Sequence, residues 1–214
     1  MAYKDFNFAH IYKQFNIRQT TATLFKKVQL PEVTPSEHLL RTIEMAKEFP
    51  LTTEKAISEA LVFPILQEVK LRNRHQVELF SGERLVADKS KGLTGECDFI
   101  LAKAPGSKEL MAPIVNITEA KRGDINNPNS LAQAAAQLIG ARLFNRKHDT
   151  VVEPLYGACT SGHEWVFIKL EDHQIIIDKN RYPLVNLGTL LGVLQHIIDL
   201  NTSKQVKVDF ITKN

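Results

Sequence analysis

The sequence predicts an α/β domain in which helices flank a central mixed β-sheet. Three features carry that expectation. Apolar residues recur at helical spacing from about Thr53 to Leu71, with Ile57, Leu61, Ile65 and Val69 four apart and Val62 and Leu66 widening the stripe. Beyond Arg74 the spacing shortens to strand-like runs. A second helical run, from about Ser130 to Asn145, then separates these runs from a later group of strands. The order is helix, three strands, helix, strands, helix.

Each element follows from local signals. Thr20 to Gln29 is strand-like, and Pro35-Ser36-Glu37 opens a short helix through about Lys47 that Pro50 closes. Thr52 or Thr53 can cap the long helix, and Pro64 inside it should kink it. Gln76 to Val86 reads as a strand pair turned near Ser81-Gly82, and Thr94 to Lys103 as a strand ending at the turn Ala104 to Ser107. Pro113 to Lys121 is the next strand. Ser130 and Gln133 have capping-box spacing at the start of the following helix. Strands at Leu155 to Thr160, Glu164 to Leu170 and Gln174 to Asp178 precede a last helix from about Leu187 to Leu200. No repeat or linker divides the chain. Residues 1–214 therefore read as one domain, with its core over about 53–180 and an N-terminal extension over 1–50.

Composition excludes little but fixes the setting. The chain is 43% hydrophobic and 24% charged, ordinary values for a soluble globular protein. Its net charge of +3 permits contact with a polyanion without forming a strongly basic stripe. Cys97 and Cys159 lie in apolar segments, far apart, and read as buried reduced thiols. No segment has a signal peptide's apolar core, and no apolar run is long enough to span a membrane. The expectation is a cytoplasmic protein without membrane contact.

The sharpest chemical signal lies in Ile117-Thr118-Glu119-Ala120-Lys121. Side chains alternate along a strand, so Glu119 and Lys121 share a face at the end of an apolar strand. Burying such charges is costly unless they are paired or bind a metal. The alternative is a plain cross-strand ion pair at an exposed strand end. Asp98 precedes an apolar run on the preceding strand. If the hairpin between residues 101 and 111 pairs these strands, Asp98 and Glu119 converge. Two carboxylates completed by water suit a hard cation such as Mg²⁺, and Lys121 beside them can orient a water or stabilise phosphoryl charge. Glu96 shares the face of Asp98, and a solvent-facing role is its simpler reading.

Asp98 followed by Glu119-x-Lys121 after a hairpin resembles the PD-(D/E)XK nuclease superfamily. The stretch from Thr53 to Leu66, followed by Gly95-Glu96-Cys97-Asp98, is similar to the nuclease domain of type I restriction-like proteins, and the likeness covers about residues 53–145. The resemblance implies a restriction-endonuclease-like fold and a site that binds Mg²⁺ or Mn²⁺ and cleaves phosphodiester bonds. It also implies a Glu from the preceding helix and a Gln from the following one. Glu54 lies in line with Leu61 and Ile65, whereas Glu59 sits at the border of the apolar stripe, so Glu54 is preferred. Gln133 and Gln137 share a face of the later helix, where a polar helix edge is the competing reading. The aromatic residue that many relatives carry on this helix is absent, with Ala141 in its place.

The expectation is a metal-dependent nuclease acting on nucleic acid, with DNA the preferred substrate. Its catalytic set is Asp98, Glu119, Lys121, Glu54, Gln133 and Gln137, and its metal ligands are Asp98, Glu119 and Glu54. The alternative is a catalytically silent fold that binds nucleic acid or protein. A homodimer is compatible with either. Lys89, Lys91, Lys103, Arg122, Arg142, Arg146 and Lys147 are available for a phosphate-binding rim. The seven histidines show no ligand spacing.

Overall fold

Eight strands form one mixed sheet in the computed structural model, which describes residues 1–26 and 28–209. The strands are β1 (Arg18–Ala22), β2 (Glu78–Asp88), β3 (Leu93–Ala102), β4 (Ile114–Ala120), β5 (Leu155–Thr160), β6 (Glu164–Glu171), β7 (Gln174–Asp178) and β8 (Tyr182–Pro183). Their order is β1-β7-β6-β5-β4-β3-β2, with β8 paired to β6. The β4–β5 and β1–β7 pairs are parallel and the others antiparallel. The expected mixed α/β sheet is thus present.

The helices are α1 (Phe8–Phe15), α2 (Glu37–Ala46), α3 (Glu54–Ile57), α4 (Phe63–Arg72), α5 (Pro128–Lys147) and α6 (Leu187–Asp209). Each sheet face buries its own core. One joins α5 to Tyr3, Phe6, Ile11 and Ile17 of the N-terminal segment. The other joins α2, α4 and α6 to Phe99, Val115 and Phe167. Tyr3, Phe6, Ile11 and Ile17, and the buried face of residues 187–198, lie outside the stretch expected to hold the core and yet belong to it.

Several local expectations are corrected. The strand pair expected at Gln76 to Val86 is the single strand β2. Gly82 sits inside it with φ +65, and the chain reverses instead at 89–92. There the Asp88 carboxylate accepts from the N–H groups of Ser90 and Lys91, and Gly92 supplies the positive φ. The start of the long helix is as expected, at Glu54 with the Thr53 hydroxyl accepting from Ala56 N as its cap. Pro64 is met not by an isolated kink but by a π turn at Ser58–Val62. A proline lacks the N–H of a regular turn, and the widened turn pairs Phe63 N with Ser58 O instead. Asn127, not Ser130, caps α5, and the N-terminal strand ends at Ala22 rather than Gln29.

Candidate active site

The site is built where two strands part. The β3–β4 ladder pairs Phe99 with Thr118 and stops there, so Asp98 and Glu119 face one another just beyond it. On its other side β4 stays paired to β5 as far as Ala120–Thr160. The parting would leave the Ala120 N–H without a ladder acceptor, and Asp98 Oδ2 accepts it at 2.7 Å. Asp98 therefore holds the mouth of the split.

Glu119 points from β4 toward α5, and only 3% of its side chain is exposed. Lys121 Nζ lies 2.7 Å from its Oε1. Gln133 Nε2 donates to the same oxygen, and Gln137 Nε2 donates to Oε2 at 2.6 Å. Burial and the neighbouring Asp98 carboxylate push the Glu119 carboxyl up to about 7, against the opposing pull of Lys121 and Gln137. Burial likewise raises the Asp98 carboxyl, although the Ala120 N–H and Lys121 act the other way. Burial alone would lower the Lys121 ammonium. The surrounding carboxylates, Glu119 first, raise it instead.

Of the two helix acids, Glu54 is the one at Lys121. Its Oε1 lies 3.6 Å from Nζ, and its Oε2 accepts the Arg122 N–H at 3.2 Å. Glu59 is exposed on the adjoining wall, 3.8 Å from Lys55. All six expected site residues thus gather around Glu119 and Lys121. Lys121 is the cation lying against Glu119 and Glu54. Among the described residues, no group of three or more His, Cys, Asp or Glu side chains is arranged as a metal cage. The donor chemistry still fits a hard cation, because Asp98 raises the buried Glu119 carboxyl, Glu54 and Glu96 raise Asp98, and a cation between such oxygens would relieve that repulsion.

Two cavities meet at these acids, sharing Glu54, Glu96 and Asp98. A cleft of about 710 Å³ runs between the start of the long helical segment and β2–β3, lined by Lys55, Ser58, Phe63, Ser81 and Gly82. A smaller pocket of about 400 Å³ reaches Glu119, Lys121 and Gln133, and its far wall is Ala2, Tyr3 and Lys4. Glu96 is exposed, as its simpler reading expects, and from there it joins both linings.

None of the expected rim cations lines either cavity. Several serve the fold instead: Lys103 donates to Asn201 O, Arg142 to Asp172 O and Lys147 to Ala87 O. The cation that sequence reasoning missed is Lys4. It lies in the supposed extension, and no local pattern ties it to a strand more than a hundred residues away. No histidine lines the two cavities, and both cysteines are buried free thiols. Among the described residues, no helix is long and apolar enough to cross a membrane.

Comparison of the chain with family models, curated proteins and solved structures gives no match.

Proposed function

We propose that this protein is a metal-dependent phosphodiesterase acting on nucleic acid, DNA first, through a site of PD-(D/E)XK type. The observation that carries the reading is a buried Glu119 facing Asp98 where two strands part, with Lys121 against it. Asp98, Glu119 and Glu54 are the groups that would hold Mg²⁺ or Mn²⁺, which when bound lowers the pKa of a coordinated water and offsets phosphoryl charge. Lys121, kept as an ammonium by its acidic neighbours, acts as a charged donor that positions water or a phosphate oxygen. Gln133 and Gln137 orient the Glu119 carboxylate. In the reaction a water oxygen bonds to phosphorus, the bond to the leaving oxygen breaks, and that oxygen takes up a proton.

A second reading, a silent fold that binds nucleic acid or protein, has one observation in its favour. Both Glu119 oxygens already accept hydrogen bonds from Lys121 and the two glutamines. The two readings part on calorimetric titration of Mg²⁺ and Mn²⁺ into the wild type and Asp98→Asn, followed by DNA cleavage assays. The enzyme reading expects binding that Asp98→Asn abolishes. It also expects Lys121→Met to retain binding and lose roughly 10²–10⁴-fold in rate. A wild type that binds neither ion, with DNA present or absent, sinks it and leaves the silent fold.

A further inference from the structure

The first residues of the chain are fitted into the fold rather than laid over it. Tyr3 is 1% exposed. Its ring lies where a Cβ on Gly95 would come within 3.0 Å of Tyr3 Cδ2, and its hydroxyl lies where a Cβ on Gly140 would come within 2.2 Å. Met1 occupies the matching space over Gly92, where a Cβ would meet its own Cβ at 3.0 Å. The Ala2 N–H is held by Asp5 at 2.7 Å, and Phe6 is buried in the core on the α5 face. Absent side chains on β3, the hairpin and α5 thus make a bed for residues 1–3, and the next residue is delivered to the wall of the smaller pocket.

That residue is Lys4. The pocket it lines carries the acids Glu54, Glu96, Asp98 and Glu119, whose field repels a polyanion. Lys121 is committed to Glu119 and Glu54, and Lys55 in the adjoining cleft lies 3.8 Å from Glu59. Among the described residues lining the two cavities, Lys4 is the cation with no hydrogen bond or ion pair to the protein.

We propose that Lys4 forms a phosphate subsite of this pocket, binding a backbone phosphate of the substrate strand next to the one attacked, with Tyr3 as the residue that positions it. The proposal rests on the phosphodiesterase reading and adds to it a site for the neighbouring nucleotide. The strand runs from the cleft beside Phe63, across Asp98, to the N-terminal turn. An ammonium on a flexible stem suits a point contact to one phosphate, and such a contact leaves a signature in salt dependence.

The test uses the full chain, with binding of a short fluorescent single-stranded DNA measured by anisotropy in Ca²⁺ over a range of KCl, and cleavage measured in Mg²⁺. Lys4→Ala is expected to weaken binding several-fold, to raise KM with a smaller change in kcat, and to flatten the slope of log K against log[KCl] by about 0.7, the value for one phosphate contact. Lys4→Arg is expected to restore the slope. Gly140→Ala, which displaces Tyr3, is expected to reproduce the flattened slope with Lys4 still present. If the wild type cleaves DNA and Lys4→Ala matches it in slope and KM, the subsite is overturned while the phosphodiesterase reading stands. If the wild type neither binds nor cleaves DNA, both fall together.

Discussion

The Glu119 carboxyl is held near pH 7 by burial and by Asp98, and this ties the stability of the protein to pH. A carboxyl whose pKa is raised on folding binds more protons in the folded than in the unfolded state. Its contribution is fully present below its ordinary value of 4.5 and is lost as pH rises through about 7. At 1.36 kcal/mol per unit the span corresponds to roughly 3 kcal/mol. Denaturant titrations should therefore show the wild type losing stability between those two values, and Glu119→Gln following a flatter curve. A parallel pair of curves would disprove the shift. A cation competing for the same oxygens must displace the proton, so Mg²⁺ affinity should strengthen as pH rises through about 7, with measurable proton release. At this scale the sequence is informative. Strand alternation is a local rule, and it puts Glu119 and Lys121 on one face without knowledge of the partner strands. The raised carboxyl is not local, because it needs the burial by α5 and the convergence of Asp98.

At the scale of elements, α5 is what turns a strand end into a site. Its inner surface carries Ala132, Ala134, Ala135, Ala136 and Gly140, small enough to bring the helix close to the sheet. Its far end is fastened by Asn145, whose Oδ1 accepts from Ile114 N at 2.7 Å and whose Nδ2 donates to Ile114 O at 2.8 Å. This clasp sets the helix against the first residue of β4, and Gln137 and Gln133, about two and three turns back, then fall on Glu119. Asn145→Ala leaves both backbone groups of Ile114 buried without these partners. It should cost about 2–4 kcal/mol by chemical denaturation and reduce activity beyond that loss, because the glutamines shift. Retained activity in a destabilised variant would show that the clasp serves the fold alone. The glutamines share a helical face in the sequence, but the register of helix on sheet is set by Asn145, which reads there only as the end of a helix. Likewise Pro64 predicts a break, yet the response to it is chosen by packing: a widened turn keeps Leu61, Val62, Ile65 and Leu66 all buried.

For the whole molecule, the consequence of the topology is that buried residues within 3–17 and 187–198 are built into the core rather than peripheral to it. Parallel pairing brings β1 onto β7 across the length of the chain, and α6 closes the core on the face opposite α5. Such pairings join residues far apart in sequence and have no local signature, which is why residues 1–50 read as an extension. Phe6→Ala tests the point. A residue 1% exposed in the main core should lower the single global unfolding transition by about 3–5 kcal/mol. An unchanged transition, with only a small separate early phase, would mean that the N-terminal segment is an appendage after all.

The parting of β3 from β4 carries a consequence for how the site is dissected. Asp98 is at once a clasp on the sheet, through the Ala120 N–H, and a negative charge in the pocket. Asp98→Ala removes both roles, so lost activity in that variant would confound a sprung sheet with an absent ligand. Asp98→Asn keeps a carbonyl oxygen for the Ala120 N–H and discards only the charge. The gap in stability between the two variants weighs the clasp, expected at about 1–3 kcal/mol, and the metal affinity of Asp98→Asn weighs the charge. One carboxylate thus fastens a strand and charges a pocket, and asparagine is the substitution that parts the two roles. Mutational drift that removed the Asp98 charge would also fray the sheet, unless it passed through asparagine.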